Sequence, residues 1–311
     1  MSTRLAVAIP AYNRAAVLKT NLLAMLPELR DTQVRVFISD DSKDDLTQEV
    51  VAEFTREHPH IHYVRNRPGL GHDLNCLHTL SLPDADYVWY ISDATRIQPG
   101  GLRRVLSVIE AERPDFLAVT AKQRQAIALP TGHYRDPTQL LESLAWHLTM
   151  TGATIYQRRF LTDMHARYGH FVGTNFIQLG ILLQNLPDST GGLYWLNENW
   201  VEADQNKGDS YWKKTPLKVF MKDWADFVMG LPEAYPIAAK RRSVRSHSRK
   251  TGVLEWRALI ELHAQGLLNY AEFERYRPYW QLVTGVPGIL VAALALWPFV
   301  RGTRPAPTSP A

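Results

Sequence analysis

The chain has 311 residues, with 35 Lys and Arg against 31 Asp and Glu, and a formal net charge of +4. That length suits one large domain or two small ones, and the composition is that of an ordinary globular protein rather than a disordered or collagenous one. The single cysteine, Cys76, excludes an internal disulfide framework and a Cys-rich zinc site, and fits a reducing compartment.

MSTRLAVAIPAYNR has no long apolar core ahead of a cleavage site, so no signal peptide is expected. Leu5–Ile9 is instead a short, wholly apolar run, the pattern of a strand buried on both faces of a parallel sheet. Pro10 is expected to stop it, because proline cannot donate to a ladder. Tyr12 and Asn13 follow at its carboxyl end. Ala15–Met25 reads as a helix with Leu18, Leu22 and Met25 on one face. Val34–Ile38 repeats the apolar run and ends in Ser39, Asp40 and Asp41. Ligands of open α/β sheets sit outside the carboxyl ends of the strands, so Pro10–Arg14 and Ser39–Ser42 should be two lips of one crevice. Asp44–Glu57 is a second helix and Ile61–Val64 a third strand. The βαβαβ alternation argues a parallel sheet with right-handed crossovers.

IPAYNR followed by ISDDSKDD resembles the opening of a family-2 glycosyltransferase of GT-A fold. The resemblance implies an α/β, Rossmann-like, mostly parallel sheet flanked by helices. It also implies that Pro10, Tyr12, Asn13, Asp40 and Asp41 hold the nucleotide of a nucleotide-diphosphate sugar. Asp44 and Asp45 read equally as acids at a helix start.

RNRPGLGHDLNCLHTL follows at 65–80. Pro68, Gly69 and Gly71 make a turn whose backbone can approach a ligand closely. Asn66, Gly69 and Asn75 match an Asn, Gly and later Asn that the family shows here. Arg65 and Arg67 read either as phosphate partners or as solvated loop charges. Asp86–Ile91 is the next buried strand and leads into Ser92-Asp93-Ala94. The family has an Asp-x-Asp signature at this point, whose carboxylates hold Mg2+ or Mn2+ across the donor's two phosphates. Only Asp93, at the middle position, is acidic here. The resemblance makes it a catalytic residue and the one metal ligand, with metal dependence left open.

Gly101–Glu112 reads as an amphipathic helix, and Phe116–Thr120 and Met150–Tyr156 as strands. In Gly169–Pro187 a helix begins near Phe176. Many relatives carry a carboxylate pair at its start, one of which is the general base. Thr174-Asn175 stands there instead, leaving His170, Asp188 or an acid of the next segment as substitutes. Gly192–Trp212 is rich in aromatic rings, amides and acids, which suits a sugar-binding surface and equally a β-hairpin packed into the core. Trp195, Glu198, Glu202 and Asp204 are its candidate acceptor ligands.

KRRSVRSHSRK, residues 240–250, reads as phosphate-binding or as a solvated basic loop. The resemblance adds His247 as a residue beside the nucleotide diphosphate. Val253–Arg277 is helical, with a break at Gly266. Pro278–Val300 has no charged residue and is flanked by Arg275, Arg277, Arg301 and Arg304. Tyr276, Tyr279, Trp280 and Trp297 mark its edges, as in an interfacial belt. Its prolines and glycines suit a surface-lying or re-entrant anchor at least as well as a span.

The expected organisation is a GT-A domain at 1–235, a basic, apolar, membrane-associating helical region at 236–304 and a disordered tail at 305–311. The resemblance implies transfer of a sugar from a nucleotide-diphosphate sugar to a hydroxyl of a glycan or polyprenyl-diphosphate-linked acceptor. Inversion, a role in bacterial surface-polysaccharide assembly and a place on the cytoplasmic face of the cell membrane go with it. An anionic membrane surface is an expected partner and nucleic acid is not. Two other readings stand beside it. One is a silent relative that binds a nucleotide sugar or scaffolds a membrane complex. The other is a sugar nucleotidyltransferase, whose longer Gly-rich loop after the first strand is missing from IPAYNR.

Overall fold

The computed structural model describes residues 3–122, 124, 127–204 and 210–297. Strands β1 (Thr3–Ala11), β2 (Arg35–Asp40), β3 (Ile61–Arg65) and β4 (Ala85–Tyr90) lie parallel in the order β3-β2-β1-β4. Helices α1 (Ala15–Thr32), α2 (Leu46–Glu57) and α3 (His72–Ser81) make the crossovers. With a strand on each side and helices on both faces, Leu5–Ile9 is fully buried, as its unbroken apolar run requires.

Strand β1 does not stop at Pro10. It runs on to Ala11, in register with Asp40 of β2. The C=O of Ala8 accepts the N–H of Ile91, while that of Ala11 accepts from Asp41. Alternation along the strand therefore turns Pro10 toward β4, whose ladder with β1 has ended at Ala8–Tyr90. No ladder bond is lost by the missing N–H.

Past β4 the sheet becomes mixed. Next come β5 (Thr95–Ile97), α4 (Gly101–Glu112), β6 (Phe116–Ala121), β7 (Gly132–Tyr134), α5 (Pro137–Ser143) and α6 (Ala145–Leu148). They are followed by β8 (Thr154–Gln157), α7 (Met164–Tyr168), α8 (Ile177–Asn185) and β9 (Leu193–Ala203). Strand β8 is antiparallel between β4 and β6; β9 runs parallel to β6 and carries β5 and β7 antiparallel. Residues 150–153, expected in a strand, form the turn before β8, and the 192–212 segment, for which a hairpin is one of two readings, is one eleven-residue strand over its first half.

The period-2 alternation of β1 splits the interior into two layers. Leu5, Val7 and Ile9 meet α1, α2 and α4 on one face. Ala8, with Val88 and Tyr90 of β4, meets α3, α5, α6 and α8 on the other. Glu28 of α1 ties the first layer together. Its carboxylate accepts the N–H groups of Gly100 (2.6 Å), Leu102 (3.0 Å) and Arg103 (3.3 Å), filling the open amides at the start of α4.

The C-terminal helices α9 (Trp224–Met229), α10 (Ile237–Thr251), α11 (Trp256–Ala264), α12 (Tyr270–Arg275), α13 (Trp280–Val283) and α14 (Gly288–Leu296) join the second layer. Helix α10 packs on α5, α6, α9 and α13. The basic run 240–250 is thus not a loop but one helix with an inner face of Lys240, Ser243, Val244 and His247. Lys240 turns its ammonium to the carbonyls of Met229 and Leu231 at the end of α9.

The long apolar run is also broken. Residues 284–287 separate α13 from α14, and no helix among the described residues is long and apolar enough to cross a membrane. Tyr276 and Trp280, expected at a lipid interface, are buried in the core, whereas Trp297 is exposed. Arg301, Arg304 and the 305–311 tail lie outside the described residues.

Candidate active site

The carboxyl ends of β1, β2 and β4 open into one cavity of about 1520 Å³. Single-ligand pockets run to about 1,000 Å³, so there is room for two reactants.

The two expected lips are bonded to each other. Asn13 sits in the left-handed region (φ +52) and donates its N–H to Ser42 Oγ at 2.8 Å. Its Oδ1 accepts from the Lys43 N–H at 2.9 Å. This frees the half-exposed Tyr12 ring to line the opening. Asp41, also on the wall, accepts from Asn66 Nδ2 (2.7 Å) and from the Gly71 N–H (2.6 Å), which fixes the 66–71 turn against β2. Asn75 lines the cavity from α3, its Oδ1 taking the Ser39 hydroxyl at 2.6 Å. Pro10, Arg67 and Gly69 complete this end, with Arg67 paired to Asp45 at 2.5 Å.

Asp40 departs from expectation. Its side chain is fully buried and accepts from Tyr63 Oη (2.7 Å), Arg65 (2.8 Å) and the Ser42 N–H (2.8 Å). It braces the loop from below and does not line the cavity, whereas Arg65, which bonds it, does line the cavity. Asn13 likewise acts as a tie and does not line the cavity.

Asp93 stands in the middle of the wall. One carboxylate oxygen accepts the Tyr12 N–H at 3.1 Å and the other meets Arg14 at 3.0 Å. Burial raises its pKa above the usual carboxylate range, and Arg14 and the Tyr12 amide pull it back in part. Ser92 Oγ bonds Thr95 Oγ1 at 2.8 Å, and Ala94 has nothing to offer a cation. Among the described residues no three His, Cys, Asp or Glu converge on a metal position. The side chains here do not build a metal cage. Mg2+ or Mn2+ at Asp93 would take the rest of its shell from phosphate and water.

Opposite this lies the start of α8. Asp73 reaches it from α3, accepting the N–H groups of Gly173 (2.7 Å) and Asn175 (3.1 Å) and holding His72 Nδ1 at 2.8 Å. Burial alone would raise the Asp73 pKa. The bond to His72 and the two amides outweigh it, and the carboxyl is held below its ordinary value. His72 lines the cavity. Asn175 donates to Asp223 at 2.8 Å, where Lys218 is also bound at 2.6 Å.

Several sequence candidates fall elsewhere. His170 does not line the cavity and packs on the Phe171 ring at 4.0 Å. Trp195 is a core side chain whose Nε1 donates to the Leu129 carbonyl at 2.9 Å. Glu198 pairs with Arg104 (2.7 Å), Glu202 accepts from Gln98 (3.0 Å), and Asp204 pairs with Arg96 (3.4 Å). All three are engaged along β9 or just past its end, outside the cavity lining, because β9 packs in the sheet between β6 and β5; among the described residues Ala203, Ser210 and Trp212 are what this segment brings to the site. His247 reaches the cavity edge but is buried against Phe220 (5.3 Å) and Trp224 (4.9 Å). Burial, then Arg124, lowers its pKa to about 3, so it is neutral and gives a phosphate no charge.

Sequence reasoning passed over His72, Asp73 and Arg124, and it reached Arg14 and Lys250 only as members of the 10–14 lip and the basic run 240–250. The Gly71-His72-Asp73 step at a helix start was the visible signal for the first two.

Residues 6–177, more than half of the chain, match the sequence model of Glycosyl transferase family 2. No curated protein matches the chain. Among solved structures, S. aureus TarS 1-349 in complex with UDP-GlcNAc superposes with a TM-score of 0.62 at 16% identity, covering 94% of this chain and 83% of that one. The mannosyltransferase PcManGT from Pyrobaculum calidifontis, in complex with GDP-Man and Mn2+, gives 0.52 at 14% identity, over 96% and 88%. Glucosyl-3-phosphoglycerate synthase from Mycobacterium tuberculosis, with Mn2+, UDP and phosphoglyceric acid, gives 0.51 at 15% identity, over 74% and 80%. At these identities the likeness is one of fold.

Proposed function

The chain belongs to glycosyl transferase family 2 and is a nucleotide-sugar-dependent glycosyltransferase of GT-A fold; from that premise we propose that it transfers a hexosyl or related unit, with inversion, to a hydroxyl of a glycan or lipid-linked glycan. The observation that carries this is one cavity lined together by Tyr12, Asp41, Asp93, His72 and Asn175. The nucleotide lies between Tyr12 and the 66–71 turn, with its diphosphate beside Asp93. Arg14, fixed by Asp93, offsets charge on the departing diphosphate. His72 takes the acceptor's proton as its oxygen attacks the anomeric carbon in line. Asp73 turns the imidazole and, through the amides of Gly173 and Asn175, holds it against the segment where relatives carry the base.

Family membership removes the nucleotidyltransferase reading. The silent-relative reading keeps two observations, the Thr174-Asn175 pair and the Ser92 and Ala94 that flank Asp93 in the metal-signature stretch. Incubating the full chain with radiolabelled UDP- and GDP-sugars and a glycan panel tests both. Transfer of label with release of nucleoside diphosphate supports the proposal. Nucleotide binding without turnover in any combination favours the silent relative, and neither binding nor turnover overturns both.

The role we assign is bacterial surface-polysaccharide assembly, at the cytoplasmic face of the cell membrane. Its support is the outer face of α14, where Ile289, Leu290, Leu296 and Trp297 are exposed. Such an apolar face suits a lipid surface, although Arg275 and Arg277 beside it are paired with Glu272 and Glu274.

A further inference from the structure

Past the strands that follow β4 in the sheet, two cations line the cavity that face no carboxylate among the described residues. Arg124, just past β6, donates only a long bond of 3.4 Å to Thr149 Oγ1, and its guanidinium lies 5.7 Å from the Trp146 ring. Lys250, from the last turn of α10, places its ammonium 5.1 Å from the same ring. Both line the cavity. Among the described residues neither forms an ion pair, whereas Arg14, Arg65 and Arg67 face Asp93, Asp40 and Asp45.

The neighbourhood does not compensate them. Burial lowers the Arg124 pKa to about 10, and burial together with Arg249 lowers that of Lys250. His247 beside them is neutral. Desolvating cations without an anion is costly. The ring of Trp146 recovers part of that cost through cation–π contact. An anion arriving from outside would recover the rest.

We propose that Arg124 and Lys250 form a subsite for a phosphate group carried by the acceptor. The inference rests on the donor–acceptor reading above and names the acceptor's chemical class. The pair belongs to the acceptor side by its bonds. The carbonyl of Thr149 accepts from Gln178 Nε2 at 3.4 Å, and Gln178 lies in the first turn of α8, with Phe176 and Ile177 between it and Thr174-Asn175. A guanidinium fork grips two phosphate oxygens, and an ammonium adds a point charge. Bound there, a phosphate would share one cavity with Asp93 and His72, so a hydroxyl carried on its ester is within the same enclosure as the donor.

The test is titration of inorganic phosphate into the full chain saturated with UDP, followed by calorimetry. Saturable binding is expected, weakened at least tenfold by Arg124→Gln and by Lys250→Gln, partly retained in Arg124→Lys, with UDP affinity unchanged in all three. Phosphate that competes with UDP would assign the pair to the donor's diphosphate and overturn the proposal. So would equal phosphate affinity in the wild type and both Gln variants. The titration is repeated without nucleotide. A chain that binds no UDP sinks the donor reading, yet loss of phosphate binding in the two Gln variants still reports on the subsite. Displacement of phosphate by glycerol 3-phosphate assigns a sugar or polyol phosphate, and displacement by geranyl diphosphate alone assigns a lipid diphosphate.

Discussion

Arg14 meets Asp93 at 3.0 Å across the cavity wall, while the N–H of Tyr12 takes the other oxygen of the same carboxylate at 3.1 Å. The first loop and the remnant of the metal signature are thereby one unit. Removing Arg14 leaves the buried Asp93 carboxylate to its own desolvation cost, whereas Arg14, itself partly exposed, keeps contact with solvent when Asp93 is neutralised.

That unit sets an acid limit on activity. The folded pKa of Asp93 lies above its ordinary value, so on lowering pH this carboxyl protonates before an exposed one does. Its ionised form holds Arg14, and turnover should fall as pH drops through that raised pKa. Arg14 is what pulls the value down, so Arg14→Gln should move the acid limb of the pH–rate profile upward. Asp93→Asn should lower kcat about 10²-fold with little change in melting temperature. An unchanged acid limb in Arg14→Gln would separate the pair from catalysis.

His72→Ala should lower kcat by about 10²- to 10⁴-fold, the range of a general base, with nucleotide affinity kept. Asp73→Asn should also lower it, since the imidazole and the 173–175 segment lose the same anchor. Single-turnover kinetics with saturating donor is the check. Full activity in His72→Ala removes the assignment.

Asp41→Ala should weaken nucleoside diphosphate binding. The carboxylate makes two hydrogen bonds that shape the 66–71 turn, to Asn66 and Gly71. Bonds to a charged group contribute roughly 1.5–3 kcal/mol each, so a loss of about 10- to 100-fold in affinity is expected in a folded variant. Calorimetry with UDP and GDP measures it, and unchanged affinity would place the nucleotide elsewhere.

Glu28→Ala should destabilise the fold by about 2 kcal/mol, because three amides at the start of α4 lose their acceptor in a buried position. Urea denaturation reads this directly. Activity per folded molecule should be unaffected, as Glu28 does not line the cavity.

The exposed face of α14 predicts liposome binding. Ile289→Glu with Leu290→Glu should release the chain from anionic vesicles, since each apolar side chain contributes about 1.5–3 kcal/mol when buried in lipid. The inner residues Val291 and Ala295 stay in place, so the fold should persist. Wild-type protein that remains in the supernatant during vesicle sedimentation, without detergent, would refute a membrane role for this face.

What the sequence determined by itself is the donor half. Two apolar runs with polar ends, Leu5–Tyr12 and Val34–Asp41, suffice to predict a parallel pair, and parallel register alone brings their ends to one edge. Local patterning carries that information because buried strands and their crossovers are short-range features. The acceptor half was not legible, because its residues meet only through long-range packing. Asp73 and Asn175 are a hundred residues apart, and Arg124 and Lys250 share one ring, Trp146, from two different elements. Composition misled where burial decided. Trp280 looked like a lipid contact and Trp195 like either a ligand or a core side chain; an aromatic run reads the same whether it faces a sugar, a membrane or a core, and the tertiary structure turned both inward. Asp40 and Asp41 differ for the same reason. Successive side chains at the end of β2 point to opposite sides, so one carboxylate is consumed beneath the loop while the next lines the cavity.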